Sequence, residues 1–353
     1  MRHKLFIFAS FFLLCGLKPN ELSAQNQSRH VVAFYNVENL FDTLNNPLTD
    51  DDDMLPEAER GWSEERKQKK ISDIARVIAD MGVDGEPPAI VALAEVECQQ
   101  VLEELVSHPA IANARYKICH FDSPDRRGID VALLYRPELF ELSEAKAIPI
   151  SIDGYKLSTR DILAVWGRFC GEETLFIVNH WPSRIGGVWA TEHLRIACAR
   201  QLRAIISEAK RQNSDIKIVA MGDMNDNPSN RSLRRVLQVK KGYRHLSPDD
   251  LYNPLDRGSL RVGSSRYNGK WNHFDNIILS ANLVGAGDAQ IYVNPTQKRN
   301  TVAYIFRRDY MCNKRGYPLR TYQGAEYTGG ISDHLPVCLI IQQSLGKRVE
   351  SSK

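Results

Sequence analysis

The sequence is short of the features that would type a protein at once. None of its seven cysteines are spaced C-x-x-C, which argues against a zinc site. It has no internal repeats and no low-complexity linker, so a repeat array is excluded. Past the N-terminus, no apolar run is long enough to span a bilayer. Charge of one sign is scarce too: 46 Lys and Arg against 43 Asp and Glu leave a net +3. No global basic field announces nucleic acid, so an anionic partner must be met by a local patch. What remains, 353 residues that are 43% hydrophobic and 25% charged, is ordinary globular composition.

The first 24 residues read as an export signal. Arg2, His3 and Lys4 supply the positive region, and "LFIFASFFLLCGL" supplies a short apolar one. "LSAQ" offers a small-residue cleavage site after Ala24. The expectation is a mature protein, residues 25–353, that is periplasmic or extracellular. Lipid anchoring at Cys15 is disfavoured because Leu14, not a small residue, precedes it. The mature chain keeps six cysteines. Several sit in apolar runs such as "YKICHF" and "PVCLII", where cysteine behaves as a small buried hydrophobe. A disulfide between some pair stays open, and spacing fixes no connectivity.

Short β-rich apolar runs recur along the chain, among them "HVVAFYNV", "AIVALAEV", "DVALLYR", "TLFIVNH", "IKIVAMGD", "FDNIILS" and "PVCLIIQ". Helical periodicity is confined to 63–81 (Ile71, Ile74, Ala75, Ile78, Met81) and to 189–210 (Leu194, Ala197, Leu202, Ile205, Ile206, Ala209). Only "DSPDRRGI" separates "RYKICHF" from "DVALLYR", and only "CGEE" separates "LAVWGRF" from "TLFIVNH". Connections that short make hairpins, hence antiparallel pairs. A mixed α/β layered domain is predicted, not a doubly wound parallel sheet. Segment 43–62 has no period. Its acidic run Asp50–Asp53 lacks the ligand spacing of an EF-hand and reads as a solvated loop.

Polar residues gather where apolar runs end: Asn36 and Glu38, Glu95 and Glu97, Asn179 and His180, Asp223 and Asn225, and Asp333 and His334 before the last run. Singly, each has a bland reading. Asn36 suits a turn, His180 a satisfied core histidine, Asp223-x-Asn225 a turn before a helix at 228–238, and Asp333-His334 a strand cap. Glu95 is harder to dismiss, since an ionised residue in "IVALAEVE" costs several kcal/mol if buried without a partner or metal.

Taken in order, Asn…Glu…His…Asp-x-Asn…Asp-His resembles the endonuclease/exonuclease/phosphatase superfamily over about residues 30–342. "GDMNDNP" and "SDHLPV" are its most specific motifs. The resemblance implies an α/β fold, a four-layer α/β/β/α sandwich of two mixed, largely antiparallel sheets. It implies Mg²⁺, with Mn²⁺ or Ca²⁺ as alternatives, held chiefly by Glu95. Asp333 is implied as a second carboxylate near the metal, and Glu38 stands where many members carry an Asp one methylene shorter. Asp223 matches the activator of water, Asn225 and Asn36 match phosphate and water donors, and His334 and His180 match the two histidines. Asp275 is implied as the carboxylate holding His334, and Asp130 as the one holding His180. The implied reaction is single-step, in-line hydrolysis of a phosphate ester.

For substrate, "NHWPSRIGG" adds Ser183 and Arg184 beside His180, apt for a phosphate. Segment 299–327 interleaves arginines with Tyr304, Tyr310, Tyr317, Tyr322 and Tyr327, which suits a nucleic-acid rim and equally a long ordered loop. A nuclease that works as a monomer, with no obligate protein partner, is the leading expectation. A lipid or sugar-phosphate esterase of the same fold, or a silent phosphate-binding relative, is the alternative.

Overall fold

The computed structural model describes residues 27–256, 262–285, 289–296 and 302–344. The expected signal at 1–24, Cys15 and Arg299 lie outside the described residues. Among those described, no helix is long and apolar enough to cross a membrane.

The chain runs β1 (Gln27–Leu40), α1 (Glu64–Asp80), β2 (Ile90–Val96), α2 (Gln99–Ser107), β3 (Lys117–His120), β4 (Asp130–Tyr135), β5 (Phe140–Ile148), β6 (Ile162–Phe169), β7 (Glu172–His180), α3 (Val188–Gln212), β8 (Lys217–Asp223), β9 (Val239–Lys240), β10 (Leu251–Tyr252), β11 (Asp275–Ser280), β12 (Ile291–Tyr292), β13 (Ala303–Ile305) and β14 (Val337–Ser344). Two sheets result. The first is ordered β12-β14-β1-β2-β4-β3, with β13 also on β14; the second is ordered β9-β10-β11-β8-β7-β6-β5. Parallel pairing is limited to β1 with β2, β7 with β8 and β9 with β10. The expected hairpins β3–β4 and β6–β7 are both antiparallel.

Alternation along the strands builds the layers. On β1, Val32 and Phe34 face the second sheet and pack with Val165, Phe176, Val219 and Ile277. Their neighbours Val31, Ala33 and Tyr35 face the other way, onto Ile74 and Ile78 of α1 and Leu105 of α2. On β7 and β8, Ile177 and Ile218 face out against Leu202 and Ile206 of α3. Period-two side chains thus bury both faces of each sheet, and helices close the outside. This is the predicted α/β/β/α sandwich.

Two details differ from the sequence reading. Helix α2 carries its apolar residues Val101, Leu102 and Leu105 in a run too short to show a period. The helix expected at 228–238 shrinks to one π-type turn, Ser232–Val236, entered from a loop whose Asp226 and Asn230 side chains are held by Arg184. All six described cysteines are free thiols. The acidic run at Asp50–Asp53 is an ordered loop: Asp51 accepts from the Asn46 N–H and Asp50 pairs with Arg126.

Candidate active site

The site forms where the two sheets end on the same edge. Register does much of the work. In the second sheet Asp223 lies directly beside His180 on β7 and opposite Asp275 on β11, so three site residues share one row. Gly222 permits this. Its φ is +157°, and a Cβ there would collide with the backbone carbonyl of Asn179 on the adjacent strand. In the first sheet β1 and β2 both shift register at their ends, between Asn36 and Leu40 and between Ala94 and Val96. Those irregularities turn Asn36 and Glu95 toward the second sheet. Glu95 (φ +63°), Glu38 (φ +52°) and Asn225 (φ +49°) all adopt left-handed backbone, a conformation that non-glycine residues hold only where surrounding structure enforces it.

Asn36 is the bridge between the sheets. Its buried amide donates to Glu95 Oε1 and to Asp223 Oδ2, each at 3.1 Å, and its Oδ1 accepts from the Glu38 N–H at 3.0 Å. Ser332, which the sequence reading passed over in "GGISDHLPV", ties the last loop to the same point. Its hydroxyl donates to the Asn36 carbonyl at 2.7 Å and accepts from the His334 N–H at 3.0 Å. His334 is then oriented by Asp275: Nδ1 to Oδ2 is 2.8 Å. The implied Asp275–His334 pair is therefore present. The other ring nitrogen, Nε2, is 3.7 Å from Asp223 Oδ2. His180 Nε2 is 3.7 Å from Glu95 Oε1 and 3.8 Å from Asp223 Oδ2. These separations exceed hydrogen-bond length, so Glu95, His180, Asp223 and His334 face one another across a gap.

Electrostatics divides the labour. Burial alone would lower the His334 pKa, yet the Asp275 and Asp223 carboxylates carry it well above the ordinary imidazole value, so the ring is cationic. His180 is pushed well below that value by burial and by the nearby Arg160 and Arg127, so its ring is neutral. Burial, helped by Asp275 and opposed by His334, lifts Asp223 to about 7. A carboxyl there is poised for proton exchange near neutral pH.

Not every residue implied by the resemblance joins this cluster. Glu38 uses both carboxylate oxygens elsewhere, accepting from Arg320 Nε at 3.1 Å and from the Thr321 N–H at 2.7 Å. It anchors the loop before β14, and the Arg320 guanidinium already supplies its charge with a cation. Asp333 sits at the rim, 2.7 Å from Arg320 Nη2 and 4.0 Å from His334 Nε2. The proposed Asp130–His180 pair does not form. Asp130 accepts from Ser123 and faces His120, while His180 Nδ1 is buried without a hydrogen bond. Asp130 opens β4, paired with Val96 of β2, and its carboxylate is taken up by Ser123 and His120 of the β3–β4 hairpin.

Arg184 is also reassigned. It is buried, donating to the Asn225 carbonyl at 2.6 Å, to Asp226 at 2.8 Å and to Asn230 at 2.9 Å, and it stacks on Phe274. It holds the 223–230 loop from below and is not available to a substrate phosphate. Ser183 is half-buried; its hydroxyl accepts from the Ile185 N–H and its carbonyl from Arg195. Asn225 donates its side-chain amide to the Trp181 carbonyl and its N–H to Asp223 Oδ1, each at 2.9 Å. Residues beyond the sequence reading complete the support: Arg195, fully buried, pairs with Asp226, and Arg160 pairs with Asp125 and donates to the Trp181 carbonyl. Arginines spaced far from any motif gave no sequence signal for this.

The donor set suits a hard divalent cation at Glu95. Each of its oxygens accepts one N–H, from Asn36 and from Asn39, which leaves lone pairs on a partly open carboxylate. A hard cation that retains several waters needs no more than one or two carboxylates.

Comparison with known proteins bears on this constellation. Residues 31–343 match the Endonuclease/Exonuclease/phosphatase family. No curated protein sequence matches the chain. Among solved structures, an endonuclease/exonuclease/phosphatase family protein of Bacteroides thetaiotaomicron is similar at 18% identity and TM-score 0.56, over 90% of this chain and 96% of that one. A mannosyl-6-phosphatase of the same organism is similar at 17% identity and TM-score 0.55, over 88% and 99%. D. rerio TDP2 complexed with a single-strand DNA product is similar at 14% identity and TM-score 0.54, over 89% and 99%. At these identities the likeness is one of fold.

Proposed function

We propose that this chain, which belongs to the endonuclease/exonuclease/phosphatase family, is an exported, monomeric hydrolase that uses Mg²⁺ to cleave phosphodiester bonds, with nucleic acid as the leading substrate. The observation that carries the reading is the Asn36 amide joining Glu95 to Asp223 across the sheet interface, with His180 and His334 facing the same gap.

In this reading Glu95 holds the cation, which when bound neutralises phosphate charge and stabilises the crowded phosphorus of the transition state. Asp223 takes a proton from the attacking water, and the Asn36 amide fixes the orientation of its carboxylate. His334, kept cationic by Asp275, donates Nε2–H toward a phosphoryl oxygen or the leaving oxygen. Neutral His180 supplies a second donor without adding charge. Asn225 supplies part of the fixed polar wall.

Support for nucleic acid is narrower than the sequence suggested. The Tyr310 ring lies under Arg76, Tyr317 under Arg266 and Tyr327 under Arg66, while Tyr322 is buried. Those rings are engaged in the protein's own packing. Free stacking surface lies instead after His180, where Ile185 and Trp189 are 83% and 86% exposed. Exposed Arg126 and Arg127 add local cations. The B. thetaiotaomicron mannosyl-6-phosphatase keeps a sugar-phosphate monoester as the second reading. The first 24 residues support export, which cell fractionation would test.

The test is a substrate panel of single- and double-stranded DNA, RNA, sphingomyelin and sugar phosphates, assayed with Mg²⁺ or Mn²⁺ and with EDTA. Metal-dependent cleavage of nucleic acid is expected. Turnover confined to sugar phosphates would replace the diesterase reading with the monoesterase one. No turnover on any substrate would leave a phosphate-binding relative.

A further inference from the structure

Outside the catalytic cluster, one region has more acceptors than donors. A cavity of about 700 Å³ is lined by Asp42, Glu97, Cys98, Asp122, Asp125 and Asp130 among others, with Arg126, paired to Asp50, also on its wall. Of these carboxylates, Asp125 is answered by Arg160 at 2.7 Å. Asp42, Glu97 and Asp122 form no ion pair among the described residues, and Asp130 faces only a histidine. That histidine, His120, stands out. Its side chain is 3% exposed, and its Nε2 has no hydrogen-bond partner although it lies 3.5 Å from Asp130 Oδ2. The other Asp130 oxygen accepts from the Ser123 N–H at 2.9 Å and from the Ser123 hydroxyl, which leaves Oδ2 facing the imidazole. Donor atoms of His120, Asp122 and Asp130 lie within 4.8 Å of one another.

A buried imidazole nitrogen without a hydrogen-bond partner, facing a carboxylate oxygen 3.5 Å away, is costly unless something completes the pair. We propose that His120, Asp122 and Asp130 bind a divalent transition-metal cation, separate from the one at Glu95. One imidazole and two carboxylates make a mixed nitrogen–oxygen set that suits Mn²⁺ or Zn²⁺ better than Mg²⁺. Asp42, on the same cavity, adds negative charge that favours a cation there. The site ties both ends of the β3–β4 connection. Asp125 on that connection holds Arg160, and Arg160 holds the Trp181 carbonyl next to His180. A cation bound there fastens one wall of the catalytic gap without touching substrate.

The experiment counts ions. EDTA-stripped full-length protein is titrated with Mn²⁺ and bound ions are measured by electron paramagnetic resonance, alongside thermal melting and circular dichroism. Two bound ions are expected in the wild type and one in Asp122→Asn. His120→Ala should weaken the same site at least tenfold. Asp122 is exposed, so Asp122→Asn tests the site even if His120→Ala fails to fold. Glu95→Gln should lose the other ion and keep this one. A wild type that binds one ion, lost in Glu95→Gln and retained in Asp122→Asn, overturns the proposal. So does a count of two in both the wild type and Asp122→Asn.

Discussion

Asp226, under the catalytic gap, meets Arg184 at 2.8 Å, Arg195 at 2.9 Å and the Ser232 hydroxyl at 2.6 Å. Glu97, two residues past Glu95 and just as carboxylic, accepts one backbone N–H from Asp42 and pairs with no cation among the described residues. Both are buried. The catalytic floor is thus cross-tied by charges that cancel, and the neighbouring cavity is not. Cancellation fixes geometry, since a buried pair that loses one member leaves an uncompensated charge. Surplus charge stores a demand for a proton or a cation.

The largest test of this contrast is within the gap itself. Asp223→Asn keeps size and burial but cannot take a proton, and turnover should fall roughly a hundred- to ten-thousand-fold. Substrate binding and melting temperature should change far less. Near-wild-type turnover in a steady-state assay would remove Asp223 from the role of base.

Next in size is Arg184→Ala. With the guanidinium gone, Asp226, Asn230 and the Asn225 carbonyl each lose a donor. A loss of about 3 kcal/mol in urea unfolding is expected, with turnover lowered because the 223–230 loop is no longer held. A neutral effect on stability would mean that Arg195 alone suffices, and the cross-tied description would fail.

The smallest test is in the cavity. Burial and the carboxylates of Asp42, Asp51 and Asp130 push the Glu97 carboxyl up to about 8, against the pull of the Asp42 N–H. Its folded pKa lies above its unfolded one, so between about 4.5 and 8 the folded chain holds a proton that the unfolded chain has released. Stability contributed at low pH is therefore lost as pH rises through that window. In EDTA, Glu97→Gln should flatten this decline by something on the order of 1 kcal/mol, spread across that window. An unchanged pH slope of the melting temperature would show that the surplus charge is relieved by other means.

Much of this was legible in the sequence, for a physical reason. Strand ends read well because alternation stops where burial stops, so Asn36, Glu95, His180, Asp223 and His334 stood out as polar residues closing apolar runs. The layered fold followed from hairpin connections too short for helices. What could not be read were side-chain partners. Asp130 and His180 each begin or end a recognisable strand, but whether they meet depends on what else each can bond, and Asp130 is taken by Ser123 and His120. Glu38 and Arg184 both lie in the expected motifs. Their orientation is decided by distant partners, Arg320 and Asp226, that no local pattern marks. The aromatic–basic segment failed for a related reason: interleaved rings and cations satisfy each other as readily as they satisfy a nucleic acid.

One consequence follows from the row that holds His180, Asp223 and Asp275 and from the bridge at Asn36. The residues needed for chemistry are distributed from one end of the chain to the other, with Asn36 on the first strand and His334 at the threshold of the last. On the proposed reading, no fragment that stops short of His334 holds the whole set, so a chain clipped before β14 pairs with β1 is expected to be silent however well its earlier strands have folded. Reactivity in that reading is a property of completion, switched on by the final strand as it joins the first sheet.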